Sequence, residues 1–220
     1  MCGRYTISTD PAKLAERFNA APAQQLTTPR FNAAPTQRLP VVLDADRSLQ
    51  LLRWGLIPHW AEDASIGNKM INARAETIAQ KPSFREAFRK RRCLVLADGY
   101  YEWQKTASGK APMRFVMNDE GPFAFAGLWE TWRHGEDMIR SFTIITTSAN
   151  ATTAPVHDRM PVILLPENEQ RWLDPGTDPV ELHEMLLPYP DEAMRFYPVS
   201  KSINSPANEG AELISPLNSL

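Results

Sequence analysis

From residue 93 onward the chain is written in short runs of aliphatic, β-branched and aromatic residues. Runs at 94–97, 100–105, 113–117, 123–129, 139–147 and 162–165 predict strands. The turn pairs Asp98-Gly99, Ser108-Gly109, Glu120-Gly121 and His134-Gly135 separate most of them. The first half is less regular. Asp10-Pro11, ahead of Lys13, Leu14, Ala15, Glu16, Arg17 and Phe18, predicts a short helix with Asp10 as N-cap and proline at the first position. Residues 20–40, rich in Ala, Pro, Thr and Gln, are expected to form an irregular loop. Segments 41–43 and 49–54 then read as paired strands around Asp44-Ala45-Asp46-Arg47. A second helix is expected from Ser83, with Glu86 completing a capping box, to the run Arg89-Lys90-Arg91-Arg92. Those cations suit a helix C-terminus at least as well as they suit phosphate. Asp178-Pro179 opens another helix to about Leu187.

Many short strands with a few peripheral helices predict an α+β fold whose β core is mainly antiparallel or barrel-like. Nineteen prolines against ten glycines favour this reading over long helices, since each proline interrupts a regular element. No Gly/Ser linker or internal repeat divides the chain, so residues 1–220 are expected to be one domain.

Composition narrows the function classes. The chain contains two cysteines, Cys2 and Cys93, no signal-like leader and no apolar run long enough for a bilayer. A cytoplasmic protein without disulfides or membrane contact is therefore expected. The four histidines show no zinc-site spacing, and neither metal nor cofactor is expected. The net charge of −2 hides an asymmetry, because residues 1–110 carry 17 Lys and Arg against 10 Asp and Glu, whereas residues 111–220 carry 7 against 16. A basic surface built from the first half suits a polyanion; charges that mix in the folded protein would suit none.

Cys2 is the sharpest chemical signal. Cysteine is small enough for Met1 to be clipped, and the mature terminus would then carry an amine and a thiol on one residue. The amine, with an ordinary pKa of roughly 7.7 to 8.0, condenses with aldehydes. The thiol can then close a thiazolidine ring, or the pair can instead perform acyl transfer. Asn72 and Arg74 share a face if their segment is extended and suit a phosphate or sugar oxygen, although Arg74 could equally pair with Glu76. Glu102, flanked by aromatics in Asp98-Gly99-Tyr100-Tyr101-Glu102-Trp103, is a candidate proton carrier or an exposed strand carboxylate. His157, in a loop held between Pro155 and Pro161, is a candidate acid/base or a structural histidine. Trp54 and Trp60, around Gly55 and Pro58, offer rings for unpaired bases or for the core.

Together these segments resemble the SRAP family, the SOS-response-associated peptidase domain whose members act as abasic-site processing proteins. The resemblance runs in family order through Met1-Cys2-Gly3-Arg4-Tyr5, Phe31-Asn32-Ala33-Ala34-Pro35, Trp54-Gly55-Leu56-Ile57-Pro58, Ile71-Asn72-Ala73-Arg74-Ala75-Glu76-Thr77, Ala97-Asp98-Gly99-Tyr100-Tyr101-Glu102-Trp103, His157-Asp158-Arg159-Met160-Pro161 and Gly210-Ala211-Glu212-Leu213-Ile214. It implies an SRAP-like fold and capture of abasic sites in single-stranded DNA as a Cys2 thiazolidine. It also implies autocatalytic loss of Met1 and a Schiff-base intermediate open to β-elimination. By motif position, Cys2, Asn72, Glu102 and His157 would be catalytic. Arg4, Arg74 and Arg159 would hold phosphates, while Asn32, Pro35 and Trp54 would line the strand's path. A monomer is expected, associated with the nucleoid when acting on DNA, and any replication or repair partner is unknown. The chain departs from some relatives at Ala61, where a second aromatic would follow Trp60, and this puts a stacking wedge there in doubt. Two other classes compete. An N-terminal-nucleophile amidotransferase or thiol peptidase would use the same cysteine, but amidotransferases need an Asn-Gly element and the chain has no such dipeptide. A non-covalent single-stranded DNA binder would use the arginines and tryptophans alone.

Overall fold

The computed structural model describes residues 2–21, 29–43 and 47–217. Its strands are β1 (Tyr5–Ile7), β2 (Arg30–Ala33), β3 (Arg38–Leu43), β4 (Ser48–Trp54), β5 (Asn72–Arg74), β6 (Arg92–Ala97), β7 (Gly99–Thr106), β8 (Gly109–Met117), β9 (Phe123–His134), β10 (Asp137–Ser148), β11 (Arg159–Pro161) and β12 (Met194–Pro198). Helices α1 (Pro11–Arg17), α2 (Arg85–Lys90), α3 (Glu169–Leu173) and α4 (Pro179–Glu184) sit around them.

Strands β3, β4, β10, β9 and β6 are hydrogen-bonded in a ring, so this part of the α+β fold is a closed five-stranded barrel. Closure removes the sheet edges that would otherwise invite pairing with another chain. The β4–β10 contact is parallel and the others are antiparallel. A second, antiparallel sheet has the order β12-β8-β7-β1-β2. The far end of β10 also holds β5, in parallel, and β11, antiparallel.

The chain passes from barrel to sheet at Asp98-Gly99. This pair reads as a turn in the sequence, yet it closes no hairpin: β6 pairs in the barrel and β7 in the sheet. The Asp98 carboxylate accepts hydrogen bonds from the backbone N–H groups of Ser8 and Thr9, which ties the end of β1 to the start of β7. An aromatic cluster joins the two layers nearby. Tyr5 of β1 meets Trp54 of β4 at 5.1 Å and Phe125 of β9 at 5.8 Å between ring centroids, both edge-on. Such pairs contribute about 0.5–1.5 kcal/mol each beyond the area they bury.

Asp10 caps α1 through Ala12 and Lys13, and Asp178 caps α4 through Val180, as their Asp-Pro signatures predict. Elsewhere tertiary context overrides local pattern. The expected loop at 20–40 contains β2 and the start of β3, because Phe31, Asn32 and Ala33 gain a partner in β1. The capping box at Ser83 does not form, since α2 is capped at Phe84 without a side-chain bond. Residues 162–165 make only a single bridge, Ile163 to Phe125, and the regular pairing falls earlier at β11. The Asp44–Arg47 turn expected between β3 and β4 lies largely outside the described residues.

Candidate active site

Four candidate residues far apart in the chain are carried to the seam between barrel and sheet. Cys2 lies just before β1, and Glu102 is on β7, beside β1 in the same sheet. Asn72 and His157 come from the barrel side. Asn72 opens β5, paired with Ile144 of β10, and His157 ends the loop between β10 and β11. Two bonds at Ile71 fix the approach of β5: its carbonyl accepts from the Ile144 backbone N–H at 3.1 Å and from the Trp54 indole at 2.9 Å. Trp54 can deliver that bond because Gly55 turns the chain at a φ of 118°, and a Cβ there would meet the Gly67 carbonyl oxygen.

The Asn72 amide donates to the Cys2 carbonyl at 2.8 Å, while its own oxygen is buried and has no hydrogen-bond partner among the described residues. Cys2 has 0% exposure. Burial, and then the charge of Glu102, pushes its thiol well above the ordinary cysteine range, so sulfur is protonated at neutral pH. Glu102 is buried as well, and burial raises its carboxyl above the usual range while the His157 ring pulls it partly back. A carboxyl so placed holds a proton closer to neutrality than an exposed one.

The His157 ring has two claims on Nδ1. The Arg159 backbone N–H points to it at 3.0 Å, and the Asp158 carboxylate lies 2.9 Å away. A backbone N–H has a fixed hydrogen, whereas the Asp158 side chain is 89% exposed and free to swing, so we assign Nδ1 as acceptor. That leaves the ring proton on Nε2. The loop behind the ring is fastened: Thr153 N–H bonds the Asn150 side chain at 2.9 Å, and the Thr153 hydroxyl meets Tyr100 of β7 at 3.2 Å. Sequence reading missed Asn150 and Thr153, although an Asn three residues before a Thr is the signature of a side-chain-closed turn. A cleft of about 600 Å³ opens here, lined by Glu102, Trp103, Lys105, Lys110, Pro155, His157 and their neighbours.

The other expected contacts are not gathered in the same way. Arg4 bonds Asn32 at 2.6 Å and the Ile203 carbonyl at 2.8 Å, and the fully buried Asn32 bonds the carbonyls of Ser205 and Asn208, each at 2.9 Å. Both latch the C-terminal segment. Trp54 is buried and presents no face to a strand, and Pro35 is half-buried. Arg159 pairs with Glu76, the acid that sequence proximity offered to Arg74. Arg74 itself is exposed and, among the described residues, forms no ion pair. Trp60 is 50% exposed, while Ala61 after it is buried, its carbonyl bonded by Trp132.

Cys2, the Asn72 amide, the Glu102 carboxyl and the His157 ring thus meet at the seam of the barrel and the sheet. A family model described as SOS response associated peptidase (SRAP) matches residues 1–206. The chain belongs to the SRAP family. It is 45% identical over 97% of its length to a Bacillus subtilis protein named abasic site processing protein YoqW, of which it covers 99%. A chicken protein named abasic site processing protein HMCES is 33% identical over 79% of this chain and 60% of its own. A crystal structure of a protein from Bacteroides thetaiotaomicron superimposes with a TM-score of 0.90 at 30% identity, covering 98% of this chain and 100% of that one.

Proposed function

We propose that this protein processes abasic sites in single-stranded DNA, capturing the ring-opened aldehyde with the aminothiol of Cys2 once Met1 has been removed. The observation that carries this reading is the Asn72 bond to the Cys2 carbonyl, with Glu102 and His157 electrostatically coupled beside it. The names of the relatives support the substrate.

Hydrolysis of the Met1–Cys2 bond consumes one water, releases methionine and frees the amine. In this reading the amine is the first nucleophile. It adds to the aldehyde carbon, and the carbinolamine loses its hydroxyl as water with a proton from Glu102, giving a protonated imine. The thiol then adds to the imine carbon and gives its proton back to the Glu102 carboxylate, while the C=N electron pair moves to the ring nitrogen, which keeps its N–H. Holding sulfur and imine on one residue makes closure unimolecular, the arrangement that lowers the entropic barrier most. His157, with its proton on Nε2, would donate to the opened sugar. If closure is blocked, the imine acidifies the neighbouring carbon and permits β-elimination. Arg74 contributes a free guanidinium to the phosphate backbone; Arg4 and Arg159 serve the strand only by exchanging their present partners.

Intact mass tests the proposal. Incubation with a single-stranded oligonucleotide bearing one abasic site should give protein lacking Met1 plus the oligonucleotide less one water. Protein that has lost Met1 and forms no adduct would refute the reading.

A further inference from the structure

The cleft beside Glu102 and His157 carries two lysines that no step of the chemistry uses. Lys105 of β7 and Lys110 of β8 are direct cross-strand partners, both exposed, and both line the cleft. Like charges directly opposite one another destabilise a ladder. Among the described residues neither lysine forms an ion pair that would offset that repulsion. The hairpin is also held in place. Thr106 pairs with Gly109, Thr106 Oγ1 donates to the Gly109 carbonyl at 2.9 Å, and Gly109 takes a φ of 118° that suits glycine. Gln104 donates to the Pro155 carbonyl at 3.2 Å and the Trp103 indole to Asn204 at 2.8 Å. The first bond ties the hairpin to the His157 loop. Among the described residues the ladder of β1 with β7 is not continued beyond Tyr101, and the cleft is reached by residues from both faces of β7.

We propose that Lys105 and Lys110 form a phosphate clamp that grips the DNA strand flanking the lesion as it enters the cleft. The clamp rests on the abasic-site reading and adds a binding element to it. Phosphodiesters would supply negative charge opposite the two lysines; Glu102 and Asp158 line the same cleft, Asp158 lying 2.9 Å from the His157 ring. Such contacts position the strand without reading its sequence.

The test uses an intact single-stranded oligonucleotide without a lesion, so its outcome does not depend on covalent capture. Two lysine–phosphate contacts contribute about 1.4 to the slope of log affinity against log salt. Between 50 and 200 mM salt, wild type should lose about sevenfold more affinity than Lys105→Ala/Lys110→Ala. The Lys105→Arg/Lys110→Arg protein should keep the wild-type slope, and thermal melts confirm that each variant is folded. Equal slopes for wild type and the alanine variant would overturn the clamp. Adduct formation with an abasic oligonucleotide is scored separately: an adduct with unchanged slopes refutes only the clamp, and a changed slope without an adduct refutes only the covalent reading.

Discussion

Replacing Glu102 by Gln separates chemistry from stability. The side chain keeps its shape and loses its proton. If Glu102 moves protons during imine formation, its removal should slow adduct formation by about 10²–10⁴-fold, or roughly 2.7–5.4 kcal/mol of barrier. Stability should move the other way. Burial lifts the folded-state pKa of Glu102 above its unfolded value, so the native protein binds this proton more tightly. The stabilisation is fully present below an unfolded pKa of about 4.3 and is lost as pH rises through the folded value. Gln does not titrate. The variant should therefore match wild type near pH 4 and exceed it at pH 8, by about 1.4 kcal/mol for each unit by which burial raises the pKa. Single-turnover adduct formation followed by gel shift from pH 5 to 8, with thermal melts at the same pH values, measures both effects. Adduct rates within twofold of wild type across that range would refute the assignment of Glu102 as proton carrier. A variant less stable than wild type at pH 8 would refute the argument from burial.

Cys2→Ser should give no lasting adduct, because an oxazolidine hydrolyses readily, but should leave an imine that borohydride traps; absence of trapped product would sink the amine-first order. Trp54→Phe removes the 2.9 Å bond to the Ile71 carbonyl, the residue ahead of Asn72. It should cost about 1 kcal/mol in denaturant unfolding and also slow adduct formation, whereas a stability loss with an unaltered rate would show that this bond does not position Asn72. Arg92 is buried and donates to the carbonyls of Phe88, Arg89, Trp172 and Asp174 at 2.6–2.8 Å. Arg92→Met strands these acceptors and should lower stability by about 3 kcal/mol, measured as a fall in the denaturant midpoint; an unshifted midpoint would mean that water replaces the guanidinium.

Local chemistry was legible wherever it is self-contained. Asp-Pro marks the starts of α1 and α4 because the cap and the first turn lie within four residues, and Ser108-Gly109 and His134-Gly135 mark hairpins because the turn residues alone set the backbone reversal. Where a partner from elsewhere decides, the pattern misled. Arg92 reads as part of a basic helix end, yet it starts β6 and is buried, since four carbonyls from α2 and the α3 end converge on it. Trp54 reads as core or as a stacking ring and Asn32 as lining the strand's path, and both are buried.

The sequence by itself determined the family motifs and the α+β character, and offered Cys2 as the candidate nucleophile, because these depend on residue identity and on short-range alternation. Only the tertiary structure decided which residues meet. The ring closure of the barrel carries Asn72 and His157 on the far end of β10, the crossing at Asp98 sets β1 against β7, and the pairing of Glu76 with Arg159 leaves Arg74 open to solvent. The Asn72–Ile144, Glu76–Arg159 and Ser8–Asp98 contacts link residues 72, 83 and 90 positions apart, and no local preference encodes a contact across that much chain.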